Sequence, residues 1–152
     1  MSESAPILKR LREILAIPGD RVGRARRIAA AIRDTGGYRW VGIYDVSPDE
    51  IAVLAWSGPA APAYPRFPSS QGLCGASVSS RATVAVGDVS RDPRYLTTLC
   101  TTRSEIVVPI IDRGSGPTVG LLDVESDLLD AFGEEDRRCL EECAAALAPL
   151  WG

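Results

Sequence analysis

Apolar residues recur at helical spacing from Ala5 to Ala16, where Ile7, Leu8, Leu11 and Leu15 form one stripe. Pro18-Gly19 breaks that run, and Asp20 is placed to cap a second helix. There Val22, Ala25, Ile28, Ala29 and Ile32 form the predicted inward face, and Gly36-Gly37 ends the element. The period then changes from helical spacing to alternation. Tyr38 to Val46 and Ile51 to Ser57 read as an antiparallel pair across Ser47-Pro48-Asp49-Glu50. Gly58 to Gln71 carries Pro59, Pro62, Pro65 and Pro68, which predicts an irregular crossing loop. A short helix over Ala76 to Arg81, a strand over Thr83 to Val89 and a second long loop over Ser90 to Thr102 follow. Glu105 to Ile111 and Thr118 to Ser126 predict a second hairpin, joined through Asp112 to Pro117. Phe132 to Leu150 predicts a closing helix that buries Phe132, Leu140, Cys143, Leu147 and Leu150.

The expected class is therefore α+β, with a central antiparallel sheet flanked by N-terminal and C-terminal helices. The 152 residues fit one domain: helices over 1–35, sheet and loops over 36–130, and the last helix over 131–152. Seventeen basic against twenty acidic residues argue against a general nucleic-acid binder. The arginines at 21, 24, 26, 27 and 33 spread around a helix, which is the pattern of a solvated face. No apolar run approaches bilayer length, and Met1 to Pro6 lacks a basic region followed by an apolar core. A soluble, cytoplasmic protein that does not engage membranes is the expectation. Four cysteines without dense spacing point to reduced thiols rather than a secreted disulfide framework.

Histidine is absent, which removes Ser/His/Asp triads, Cys/His dyads and most catalytic zinc sites. Lys9 is the sole lysine and lies on the first helix, so Schiff-base chemistry is disfavoured. Thiols and carboxylates remain. Gly72-Leu73-Cys74-Gly75 puts a thiol at the start of a short helix, where free amides and the helix dipole favour thiolate and predict a lowered pKa. A small buried cysteine filling a turn is the competing reading. Cys100 sits in a polar loop, reactive or inert. Cys139 and Cys143 are four apart on one helix, a spacing better explained by packing than by metal ligation. Alternation places Val119, Leu121, Asp123 and Glu125 on one strand face. A solvated sheet surface explains two such acids, and so does a site in which they join Glu105 to hold an ammonium group and a shared proton. Trp40 and Tyr44 share a face of the first strand, as core or as the aromatic wall of a pocket.

The order of two helices, an antiparallel sheet, long mid-chain loops and a closing Phe132-x-x-x-Asp136 helix resembles a GAF domain. Within that superfamily Trp40-Val41-Gly42-Ile43-Tyr44, Gly72-Leu73-Cys74-Gly75, Arg103-Ser104-Glu105-Ile106-Val107-Val108-Pro109 and Gly120-Leu121-Leu122-Asp123-Val124-Glu125-Ser126 are similar to motifs of free methionine-R-sulfoxide reductases. The resemblance implies reduction of a free amino-acid-like substrate through a cysteine sulfenate and an intramolecular disulfide. Cys100 and Cys74 would be the attacking and resolving pair. Glu105, Asp123 and Glu125 would hold the substrate ammonium and help protonate the sulfoxide oxygen, and Trp40 and Tyr44 would line the pocket. It further implies a thioredoxin-like reductant and neither metal nor organic cofactor. Three positions differ from the family pattern. Tyr64 stands where a third cysteine is common. Asp92-Pro93-Arg94-Tyr95 occupies the loop, as in many sensory GAF domains. Cys100 lies five residues before Glu105, where the family thiol lies seven before. Two other readings follow: a non-catalytic GAF module that binds a small polar metabolite or senses oxidants through Cys74 and Cys100, and an interaction module forming a homodimer through its terminal helices. Of the nucleotide-sensing pattern only Phe132 and Asp136 survive, which disfavours cyclic nucleotides.

Overall fold

The computed structural model describes residues 4–152; Met1, Ser2 and Glu3, part of the stretch read for a leader segment, lie outside the described residues. Helix α1 runs over Ala5–Ala16 and buries Ile7, Leu11 and Ile14, with Leu8 and Leu15 only partly covered. Asp20 caps α2 (Arg21–Gly36): its carboxylate accepts from the Gly23 amide at 3.3 Å. The buried face of α2 is Ala25, Ile28, Ala29, Ala31 and Ile32. Val22, expected inward, is exposed, because it lies in the first turn beyond the edge of the sheet-facing stripe.

Strands β1 (Trp40–Val46) and β2 (Glu50–Ser57) form the first expected hairpin. The proline-rich crossing is more regular than its composition suggested. Its end, Arg66–Pro68, is a short edge strand, β3, paired with β2, and edge pairing leaves Pro68 no ladder donor to supply. Helix α3 spans Gly72–Ser80, four residues earlier than expected at its start, and so takes Cys74 into its first turn. Strand β4 is limited to Val84–Val86, and a 3-10 turn at Val89–Arg91 opens the second long loop. Strands β5 (Ser104–Ile111) and β6 (Thr118–Ser126) make the second hairpin. Helix α4 covers Glu134–Ala146, with Phe132 ahead of it and only partly buried, and a 3-10 turn over Ala148–Trp151 replaces its expected last turn. Pro149 has no amide hydrogen with which to continue an α-helix.

The six strands lie in the order β3-β2-β1-β6-β5-β4, all antiparallel, as the α+β expectation required. Period-two alternation splits the core across this sheet. Val41, Ile43, Ile106, Val108, Leu122 and Val124 face the layer of α1, α2 and α4. Trp40, Tyr44, Val107 and Leu121 face the other way, under α3 and the two long loops. No helix among the described residues is long and apolar enough to cross a membrane.

Arg21 ties the helical layer to the sheet. Its guanidinium donates through both terminal nitrogens to Asp45, and Nε donates to the Leu150 carbonyl at 2.8 Å. The same group lies 5.0 Å from the centre of the Trp151 ring, whose Nε1 also donates to Asp45. Because Arg21 and Asp45 are both more than a third exposed, solvent screens the charge pair, so Arg21→Ala is expected to cost only about 1 kcal/mol in urea unfolding, with most of the loss surviving high salt as lost packing.

Candidate functional site

Glu105, Asp123 and Glu125 share the sheet face that lies under α3. Register brings them together: Glu105 is directly opposite Glu125 across β5 and β6, and Asp123 stands between Val107 and Gly42. A solvated sheet surface is excluded, since the three carboxyls are 3, 0 and 0 % exposed. Among the described residues no arginine or lysine forms an ion pair with them. Glu105 Oε1, both oxygens of Asp123 and Glu125 Oε2 have no donor. Glu125 Oε1 accepts from the Thr102 hydroxyl at 2.7 Å.

Burial removes these acids from water and raises all three well above the usual carboxylate range. Mutual repulsion adds to the rise, while the Thr98 and Thr102 hydroxyls pull Glu125 partly back. As bare carboxylates they are acceptors facing acceptors. A proton held between Asp123 and either neighbour turns repulsion into a hydrogen bond, so this arrangement favours a shared proton.

Cys74 enters from the other side. Gly72 opens α3 at φ +76, a conformation suited to glycine, and the next two residues point down to the sheet. Cys74 Sγ lies with one oxygen each of Glu105 and Asp123 in a group whose members are all within 4.8 Å of one another. The expectation of a lowered Cys74 pKa is overturned. The helix start is present, but burial and then the charges of Asp123, Glu105 and Glu125 raise the thiol well above its ordinary value. This trio is the donor set that could hold a metal among the described residues.

A narrow cavity completes the site. It is lined by Tyr44, Phe67, Leu96, Thr98 and the residues around Cys74, Glu105 and Asp123, and the free room at its centre, about 10 Å³, suits one water. Tyr44 is buried at its wall, 6.0 Å between ring centres from Phe67. Trp40 stands one layer behind, 6.3 Å from Tyr44, with Nε1 donating to the Ala60 carbonyl at 3.0 Å. The two long loops close over the top, joined by the Ala63 amide donating to the Thr98 carbonyl at 2.9 Å.

Cys100 is not among the lining residues; it is exposed at the outer end of its loop. Thr98 occupies the position seven residues before Glu105 and lines the cavity instead. Thr98, Thr102 and Phe67 were not singled out from sequence. The seven-residue spacing was the signal that pointed to Thr98; a lone threonine or phenylalanine in a loop carries none. Cys139 is half-buried and Cys143 buried against the helical core, as packing predicts, and none of the four cysteines is in a disulfide.

The GAF domain family model matches residues 20–149. The chain belongs to the GAF domain family. Across 137 residues it is 30% identical to GAF domain-containing protein A of Dictyostelium discoideum, covering 90% of this chain and 84% of that protein. Free methionine-R-sulfoxide reductase of Neisseria meningitidis, solved in complex with its substrate, superposes with a TM-score of 0.87 at 33% identity, over 97% of this GAF chain and 87% of that one. The type II free methionine-R-sulfoxide reductase of Thermoplasma acidophilum aligns at TM-score 0.75 and 32% identity, covering 86% and 94% respectively. The GAF resemblance read from the order of elements is therefore correct, and two reductases of the expected kind are among the chain's structural relatives.

Proposed function

We propose that this GAF domain binds a free, amino-acid-like zwitterion and reduces free methionine-R-sulfoxide to methionine. The observation that carries this reading is a narrow cavity lined by the buried carboxyls of Glu105 and Asp123 beside the Cys74 thiol, with both Asp123 oxygens and Glu105 Oε1 lacking a donor. An ammonium group is the complement of such acids, and a protonated carboxyl is the donor that a sulfoxide oxygen needs when its sulfur is attacked. The relatives named as reductases, one of them holding its substrate, support the choice of ligand class.

In this scheme a cysteine thiolate attacks the sulfoxide sulfur, and the oxygen passes to the cysteine as sulfenic acid while methionine leaves as the thioether. The second cysteine then attacks the sulfenic sulfur, forming a disulfide and releasing water. A thioredoxin-like dithiol returns both thiols and is itself oxidised. Cys74 and Cys100 are the proposed pair, with Glu105, Asp123 and Glu125 as ammonium and proton-handling groups and Trp40 and Tyr44 as the supporting wall. Cys100 must swing inward, which requires the loop carrying Thr98 to part from Ala63.

Reduced protein mixed with free L-methionine-R-sulfoxide should yield one methionine for every two thiols lost. Cys74→Ser or Cys100→Ser should abolish turnover, and the variant that fails to release even one methionine identifies the attacking residue. No methionine from a folded, fully reduced sample would sink the reductase reading. The exposed position of Cys100, with Thr98 in the cavity, favours a second reading in that case: a GAF module that binds the same class of ligand without chemistry. Calorimetric one-to-one binding without thiol loss would distinguish it. The homodimer reading has less behind it, since Ile17 and Val22 are isolated exposed apolar residues rather than a stripe along a terminal helix.

A further inference from the structure

Cys74, Glu105 and Asp123 offer one sulfur and two oxygens converging on a single point, and every one of these side chains is at least nineteen-twentieths buried. Both oxygens of Asp123 and one of Glu105 lack any donor. Clusters of acids ordinarily face water. This one faces a thiol and a cavity whose free centre suits one water, about 10 Å³.

We propose that Cys74, Glu105 and Asp123 form a binding site for a borderline-soft divalent cation of the zinc(II) class, with the cavity water as its fourth ligand. The donor set discriminates among cations. A thiolate disfavours magnesium and calcium, which take six or more oxygens, and suits zinc or cadmium, which accept mixed sulfur and oxygen in tetrahedral sites. With metal–sulfur near 2.3 Å and metal–oxygen near 2.1 Å, adjacent donors stand about 3.5 Å apart, so side-chain adjustments of about an ångström close the group around an ion.

Binding exchanges protons for metal. The thiol and whichever of the two carboxyls are protonated release up to three protons to solvent as the cation enters, and affinity rises with pH. Glu125 stays outside the set, held by Thr102. The start of α3, of which Cys74 is part, further favours the thiolate once a cation balances the acids. Metal and ammonium would compete for the same carboxyls. The site does not depend on the reductase reading, since metal binding is read without turnover.

Cadmium alone, titrated anaerobically into reduced, chelator-treated protein, tests the site through the ultraviolet thiolate-to-cadmium absorption and the thermal midpoint. The expected result is one cadmium per chain and a raised midpoint. The band should persist in Cys100→Ser and Cys139→Ser and vanish in Cys74→Ser. Asp123→Asn and Glu105→Gln, which keep side-chain shape, should each weaken binding by at least tenfold, and they serve if Cys74→Ser does not fold. Survival of the band in Cys74→Ser, its loss in Cys100→Ser, unchanged affinity in both carboxamide variants, or no one-to-one binding would each overturn the proposal.

Discussion

Asp123→Asn is expected to stabilise the fold at neutral and alkaline pH while weakening the hold on any cationic ligand. Asp123 is fully buried and both its oxygens lack donors, so ionising it has no compensation inside the protein. Its pKa is raised when folded, by burial first and by Glu105 second. The folded state therefore holds a proton over a pH interval in which the unfolded chain, with an aspartate near about 3.9, has released it. Stability from this group is fully present below that unfolded value and is lost as pH rises through the higher folded one, at up to about 1.4 kcal/mol per pH unit. Asparagine cannot ionise. Urea unfolding near pH 5 and pH 9 should show the wild type losing more stability with rising pH than the variant, by roughly 1–3 kcal/mol at the alkaline end. Parallel pH dependence in the two proteins would mean that Asp123 titrates alike folded and unfolded, contrary to its surroundings. Loss of ligand binding in the more stable protein is the result to look for, because it separates a functional residue from a structural one.

Gly42→Ala should damage fold and pocket together. Gly42 lies opposite Asp123, and a methyl group there would stand 2.2 Å from the Trp40 ring and 3.1 Å from the Tyr44 ring. Trp40 has no free space to retreat into: it is fully buried, and its Nε1 is committed to the Ala60 carbonyl. Overpacking of this kind costs about 1–3 kcal/mol, and relief comes only by displacing the aromatic pair that backs the cavity. The measurements are the urea midpoint and calorimetric affinity for the zwitterionic ligand. A variant with native stability and native affinity would show that the Trp40 layer yields freely and does not shape the pocket.

The alternation in Trp40 to Val46 and Thr118 to Ser126 was enough to place residues on the correct sheet faces, and Asp20 and Gly37 marked both ends of α2. The edges of short elements were harder to read. Arg66–Pro68 is a strand because β2 offers it a partner, and no local propensity announces such a neighbour. The three acids were visible as candidates, but their burial depended on α3 and two irregular loops folding across that face, which alternation within one strand does not encode. For Cys74 the local and tertiary effects have opposite signs. The helix start favours thiolate, yet desolvation and three acids outweigh it, and only the assembled site brings those acids near. Cys100 and Thr98 sit two apart in one loop, yet only Thr98, whose carbonyl accepts from the sequence-distant Ala63 amide, lines the cavity.

That contact also bears on timing. On the proposed function, a cavity with room for one water would admit a zwitterion only after the loops tied by the Ala63 amide and the Thr98 carbonyl separate. One backbone hydrogen bond contributes only about 1 kcal/mol net, which makes this tie a weak latch. For a pocket that takes such a ligand, the lifetime of the shut form, rather than the attraction of the buried acids, would then govern how quickly it samples its surroundings, and how long a captured molecule stays.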